Sequence, residues 1–271
     1  MSAVLVPRPA STVMVIRDGE ASLEVLMLRR SLESEFVRGA YVFPGGAVDS
    51  TDGDPEMLAR CTGHSDAQAS AVLELESGGL AYWVSAFREC FEEAGVLVAT
   101  GPDGDPLTFD DPAVEARFVG HRRTLNAGER SFLEICRAED LTLPTDSVYY
   151  VGHWITPEGP PRRYDTRFFA TLAPSGQTAV HDEVETIDHM WVTPPDALVQ
   201  LEAGQIELLF PTIWHLRLLA RYATAADLVA SMTSFGAVPT IEPELVVDEQ
   251  GRRQVIVPLD PDDVADARER S

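Results

Sequence analysis

The chain has 271 residues, 45% of them hydrophobic and 24% charged. That balance predicts a folded globule of one large domain or two small ones rather than disorder. Its 44 acidic residues outnumber 21 basic ones, all arginine, for a net charge of −23. A surface this acidic repels phosphate backbones and anionic lipid, which excludes nucleic-acid and membrane partners; the lack of lysine excludes Schiff-base chemistry and a nucleotide-binding P-loop.

The first twenty residues carry too little apolar length for a signal peptide or anchor, and no stretch reaches the ~18 to 20 apolar residues of a membrane span. Three scattered cysteines, Cys61, Cys90 and Cys136, predict a reduced, cytoplasmic protein without disulfides. Residues 12–17 and 23–28 read as a hairpin about Asp18-Gly19. A loop holding Gly39 and Phe43-Pro44-Gly45-Gly46 follows. Residues 47–79, rich in Asp, Ser, Gly and Ala, look inserted, with a helix over 66–76 stopped by Gly78-Gly79. A stronger helix covers about 80–94, ended by Gly95, with a short strand over 96–98 after it. Residues 102–112 are loop and 114–139 helical. Strands are expected at 147–155, 167–172 and 189–192, helices at 196–203 and 206–230. A last hairpin pairs 244–247 with 254–257. The order predicts a mixed α/β sandwich: a main domain over 1–235, with insertions at about 47–79 and 110–140, then a tail over 236–271.

The helix at 80–94 breaks a local rule. Trp83, Val84, Phe87, Cys90, Phe91 and Ala94 gather on one side at 100° per residue, and Glu89, Glu92 and Glu93 on the other. A plain solvated acidic face would look the same from spacing alone. Yet these acids sit at the negative end of the helix dipole, where each costs roughly 0.3 to 1 kcal/mol, and their mutual spacing adds repulsion. In the sequence only Arg88 offsets them. A divalent cation would remove the conflict, and carboxylates without Cys or His suit Mg²⁺ first and Mn²⁺ second.

Arg88-Glu89-Cys90-Phe91-Glu92-Glu93-Ala94-Gly95-Val96 resembles the second half of the Nudix box at every fixed position, and Phe43-Pro44-Gly45-Gly46 resembles its glycine-rich beginning. The resemblance implies a Nudix-type α/β/α sandwich with a mixed sheet and metal-dependent cleavage of a diphosphate linked to another moiety. It makes Glu89 and Glu93 catalytic, Glu89, Glu92 and Glu93 ligands of Mg²⁺ or Mn²⁺, and Gly45 and Gly46 part of the substrate site. Forty-one residues separate Gly46 from Arg88, far more than the family's box allows. Counting forward puts Asp52 in its first-glutamate position and counting back puts Leu80 there. An interrupted box is similar to the branch that includes the peroxisomal coenzyme A diphosphatases, as are Trp154-Ile155-Thr156-Pro157, the segment from Arg163 through Arg167 to Phe169, and Trp191-Val192. That branch implies coenzyme A or an acyl derivative as substrate, although Glu35 stands where its signature has arginine. ADP-ribose and NADH stay open, as does a Nudix-fold nucleotide sensor without turnover.

The family commonly adds a fourth acid shortly before a tryptophan, which implies Glu185 as a further metal ligand, with Glu183 close behind. Paired guanidinium forks suit phosphate, so Arg29, Arg30, Arg163 and Arg167 are candidates for the outer phosphates, each with surface ion pairing as the competing reading. The extra C-terminal elements could serve a homodimer, a lid or plain packing.

Overall fold

A computed structural model describes residues 5–32, 38–182, 184–233, 238–247 and 253–261. Glu35, Glu183, Arg252 and the turn of the last hairpin lie outside them. The strands are β1 (Arg8–Asp18), β2 (Leu23–Arg30), β3 (Tyr41–Val42), β4 (Gly45–Ala47), β5 (Cys61–Thr62), β6 (Leu143–Pro144), β7 (Val148–Ile155), β8 (Tyr164–Leu172), β9 (Thr186–Val192), β10 (Thr240–Ile241), β11 (Glu244–Val247) and β12 (Arg253–Ile256). The α-helices are α1 (Pro55–Leu58), α2 (Asp66–Val72), α3 (Leu80–Ala94), α4 (Pro112–Asn126), α5 (Phe132–Ala138), α6 (Pro194–Glu202), α7 (Phe210–Leu219) and α8 (Ala225–Thr233).

The β1–β2 hairpin is short: three residue pairs close it, from Ile16↔Val25 to Asp18↔Leu23. Beyond that point the strands take other partners. β1 pairs along nine residues in parallel with β8, and its first half also pairs antiparallel with β4. β2 pairs antiparallel with β9 and β3. The resulting mixed sheet runs β10-β7-β8-β1-β2-β3, with β4 on β1 and β9 on β2.

Both faces of this sheet are covered, which is why β1 and β2 read as nearly continuous apolar runs. Val13, Val15, Leu26 and Leu28 join Trp83, Phe87 and Phe91 of α3, with Phe118 of α4 and Ile135 of α5, in one core. Met14, Ile16, Val25 and Met27 face a second core with Trp214 and Leu216 of α7 and Leu228 of α8. The architecture is an α/β/α sandwich with helical C-terminal elements.

Several expected elements differ, each for a local reason. The helix over 66–76 stops at Val72, since Leu73 leaves helical geometry and Glu74 takes φ 57°. The helix over 114–139 is two, α4 and α5, parted by Gly128 at φ 68° and restarted by a Ser131–Glu134 capping box. The helix over 206–230 likewise divides into α7 and α8, and Thr224 accepts from the Asp227 amide where α8 begins. Residues 96–98 form no strand. The Gln177 side chain takes the place of a neighbouring strand there, accepting from the Leu97 amide at 2.8 Å and donating to the Leu97 carbonyl at 2.9 Å. The last hairpin forms as β11–β12.

Candidate active site

Helix α3 is built to end at a fixed place. Asp66, in the first turn of α2, accepts hydrogen bonds from the Gly78 and Leu80 amides and so caps the start of α3 from outside. At the other end Gly95 adopts φ 69°, the left-handed conformation that terminates a helix. The dipole penalty expected for the three glutamates is partly met by a residue distant in sequence. Arg122 of α4 donates to the Glu92 and Glu93 carbonyls at 2.9 and 2.8 Å, and Asn126 adds a bond to the Glu92 carbonyl. A guanidinium thus sits where the dipole is most negative.

The acidic side chains themselves meet one guanidinium. Arg88 donates to both carboxylate oxygens of Asp52 at 2.8 Å, to Glu89 at 2.8 Å and to Glu92 at 3.0 Å, and also to the Ala47 carbonyl. Burial alone would lower the Arg88 pKa, but the hydrogen bonds it donates to Asp52 and the charges of Glu89, Asp52 and Glu92 hold it above its ordinary value. Of the two residues that counting offers for the first acidic position, Asp52 brings a carboxylate to α3, while Leu80 is buried in the apolar core. The 47–79 segment therefore first lays Asp52 against α3, in a 3₁₀ turn with an Asp49 cap, and loops out after it.

Glu93 is not on a solvated face: it is 5% exposed, and its carboxylate accepts from the Gly45 amide at 3.0 Å. Burial, then the neighbouring Glu89 charge, raises its pKa well above the carboxylate range. Glu89 is pushed up to about 7, chiefly by burial, against the pull of Arg88. Burial raises Glu92 as well. Glu185 is close enough to raise both Glu92 and Glu93 by its charge. Its loop is fixed by Asp182, whose carboxylate accepts from the amides of Glu185 at 3.1 Å and Thr186 at 2.7 Å. The two glycines of β4 are required by close approach. A Cβ on Gly46 would lie 2.5 Å from a Glu89 oxygen, and one on Gly45 2.4 Å from the Ser11 carbonyl.

These groups line one cavity of about 990 Å³. Of the residues singled out from sequence, Arg30, Gly45, Gly46, Glu89, Glu92, Glu93 and Glu185 are on its wall. Arg29 lies outside, donating to the Gly39 carbonyl at 3.3 Å. Arg163 and Arg167 are also outside it, whereas Arg162, which sequence reasoning did not single out, lines the cavity with Arg30. Arg163 is spent on the carbonyls of Thr156 and Leu5 and on Glu242. Arg167 is buried against Asp165 and His153, with its guanidinium over the Tyr82 ring. The Arg122 contact and the apolar part of the cavity wall were missed in the sequence, because both depend on how distant segments meet.

Four carboxylates and a backbone amide supply oxygen ligands and a hydrogen-bond donor, a set that fits a hard divalent cation. Among the described residues no three acidic, His or Cys side chains form a ready-made metal cage. Glu89 and Glu92 are drawn instead onto Arg88, and Glu93 onto Gly45.

A sandwich of this kind, with a Gly-Gly strand laid against the acidic end of its central helix, defines the Nudix class. The chain belongs to the Nudix family: a model of the NUDT19 Nudix domain matches residues 63–219, more than half its length. It is 28% identical over 244 residues to the acyl-coenzyme A diphosphatase NUDT19 of Gallus gallus, covering 78% of this chain and 64% of that one. It is 27% identical over 236 residues to the Homo sapiens protein of the same name, covering 75% and 62%. The chain thus spans a little under two thirds of the length of these relatives. A Nudix hydrolase from Alicyclobacillus acidocaldarius superposes with a TM-score of 0.66 at 27% identity, covering 88% of this chain and all of that one. Among the described residues no helix is long and apolar enough to cross a membrane.

Proposed function

We propose that this chain hydrolyses the diphosphate of coenzyme A or its acyl thioesters with Mg²⁺ or Mn²⁺, releasing 3′,5′-adenosine bisphosphate and a phosphopantetheine. The observation that carries this reading is the surplus of carboxylate at the end of α3: Glu89, Glu92, Glu93 and Glu185 share one cavity, and Arg88 cannot neutralise them while also pairing with Asp52. The names of the relatives favour coenzyme A. Glu89, Glu92, Glu93 and Glu185 would hold the cation. When bound, it would offset the charge that builds on the phosphoryl oxygens.

The rest falls to the chain's own groups. Arg30 and Arg162 meet the outer phosphates, and the tight Gly45–Gly46 strand lets the diphosphate approach the backbone. Glu89 takes a proton from the attacking water as the water oxygen bonds to one phosphorus and the bridging P–O bond breaks. The test is product release from coenzyme A, an acyl-coenzyme A, ADP-ribose and NADH, with Mg²⁺ or Mn²⁺ and then with chelator. Cation-dependent release of adenosine bisphosphate supports the reading. Preference for ADP-ribose or NADH moves the substrate, and tight nucleotide binding without any turnover replaces the enzyme with a sensor.

A further inference from the structure

The last turn of α3 is tied down more completely than a helix end requires. A helix leaves its final carbonyls without partners of its own, and such ends fray. Here each one has a partner. The Phe91 carbonyl accepts from the Gly95 amide at 3.0 Å, within the left-handed turn that ends the helix. The Glu92 and Glu93 carbonyls both accept from Arg122 of α4, and the Glu92 carbonyl also accepts from Asn126. The Ala94 carbonyl accepts from the Val180 amide at 2.9 Å. Two distant segments, α4 and the stretch ahead of β9, therefore grip the turn that carries Glu92 and Glu93.

Arg122 links those segments. Its fork puts two nitrogens on two successive carbonyls, which fixes the turn in rotation as well as in position. Gly95 allows the approach: a Cβ there would lie 3.0 Å from an Arg122 guanidinium nitrogen. Asp182 is near enough for its charge to oppose the effect of burial on Arg122. The same Asp182 carboxylate accepts from the Glu185 and Thr186 amides. One guanidinium thus holds the backbone of Glu92 and Glu93 and attracts the acid that shapes the Glu185 loop.

Charge alone does not explain this placement, because a guanidinium beside Glu92 and Glu93 repels any cation that they hold. Nor does α4 need Arg122 to stay in place. Its Phe118 packs against Phe91 and Phe109, and its Arg117 and His121 both meet Glu139. What the fork supplies is geometry.

We propose that Arg122 is a positioning residue of the active site: it sets the spacing between the α3 turn bearing Glu92 and Glu93 and the loop bearing Glu185, so that their carboxylates converge on one divalent cation. The helical insertion that carries α4 thereby has a role in the site without contributing a ligand. The inference rests on the proposed cation-dependent activity, and the measurements separate the two. Mn²⁺ is titrated calorimetrically into the chelator-treated full chain and into Arg122→Lys and Arg122→Met, with a non-hydrolysable diphosphate analogue present. Coenzyme A turnover is then followed against Mn²⁺ concentration.

Arg122→Lys keeps the charge and loses the fork, and Arg122→Met loses both. In each, the Mn²⁺ dissociation constant and the Mn²⁺ concentration for half-maximal turnover rise by about tenfold or more, as when a group that orients metal ligands is lost. Arg122 is not on the cavity wall, so KM for coenzyme A at saturating Mn²⁺ stays within about twofold of wild type. Arg117→Gln removes the Glu139 pairing of the same helix and leaves Mn²⁺ affinity unchanged, which controls for loosening of α4. Wild-type Mn²⁺ affinity in either Arg122 variant, a tighter site in Arg122→Met, or an equal loss in Arg117→Gln overturns the positioning role and leaves the activity standing. Absence of both Mn²⁺ binding and turnover in the wild type overturns the activity and, with it, this inference.

Discussion

Two buried arginine clusters lie among the described residues, and they are built differently. Around Arg163 and Arg167 each guanidinium has a single carboxylate partner, Glu242 and Asp165, and its remaining bonds or contacts go to carbonyls, a histidine and a tyrosine ring. Around Arg88 one guanidinium is shared by Asp52, Glu89 and Glu92, with Glu93 and Glu185 close by. The first cluster is balanced and holds segments together. The second is left with negative charge that its own cation cannot cancel. Burial of arginine is common to both, so it marks structure; the unbalanced charge marks the site.

The largest effect that would sharpen this contrast is on turnover. Glu92→Gln or Glu93→Gln should lower kcat on coenzyme A compounds by about two to four orders of magnitude, the range expected when a catalytic group is removed. Burial and neighbouring carboxylates already disfavour the charged form of both glutamates, so neither substitution should lower the melting temperature. Retention of more than a tenth of wild-type kcat by both variants would erase the distinction between the clusters.

Stability should divide the clusters next. Arg88→Met leaves Asp52, Glu89 and Glu92 without their shared partner, and breaking a buried pair this way costs about 3 to 5 kcal/mol. Arg163→Gln removes a pair whose Glu242 side chain is 49% exposed and two bonds to carbonyls, for about 1 to 3 kcal/mol. Denaturant melts of both variants compare them directly, and equal losses would contradict the account.

A third effect is in pH. Burial raises Glu89 to about 7 in the folded chain, above its unfolded value near 4.5, so the native state binds more protons between those limits. The metal-free protein should therefore lose stability as pH rises from about 4.5 to 7, by at most about 3 kcal/mol from this group. Glu89→Gln should reduce the slope. An unchanged slope in that variant would assign the titration elsewhere.

The smallest effects separate the two glycines. In Gly46→Ala the obstruction is the movable Glu89 carboxylate, so activity should fall while stability drops by roughly 1 kcal/mol or less. In Gly45→Ala it is the Ser11 backbone carbonyl, so the fold itself should weaken, by about 1 to 3 kcal/mol. Parallel activity and melting measurements read both.

What could be seen in the sequence follows the range of each interaction. Helix α3 was legible because its apolar spacing and Gly95 are local; β1 and β2 were legible as apolar strands, though their runs alone left half and full burial open. The splits at Gly128 and around Thr224 carry their own signals, in a glycine and in capping residues. The site was half legible. Its glutamates share one helix, but the pairing of Asp52 with Arg88 crosses the inserted segment. The Arg122 cap comes from another helix, and Gln177 displaces an expected strand with a side chain no periodicity reports. Arg163 and Arg167 read as phosphate ligands because composition does not show that each is buried against its own carboxylate, away from the cavity.

The most direct test of the unbalanced-charge account is calorimetric titration of Mn²⁺ into the chelator-treated protein, beside the Glu92→Gln/Glu93→Gln double variant, each with a non-hydrolysable diphosphate analogue present. Saturable binding in the wild type that disappears in the double variant is the predicted result. Absence of binding in the wild type, or the same isotherm in both proteins, would contradict it.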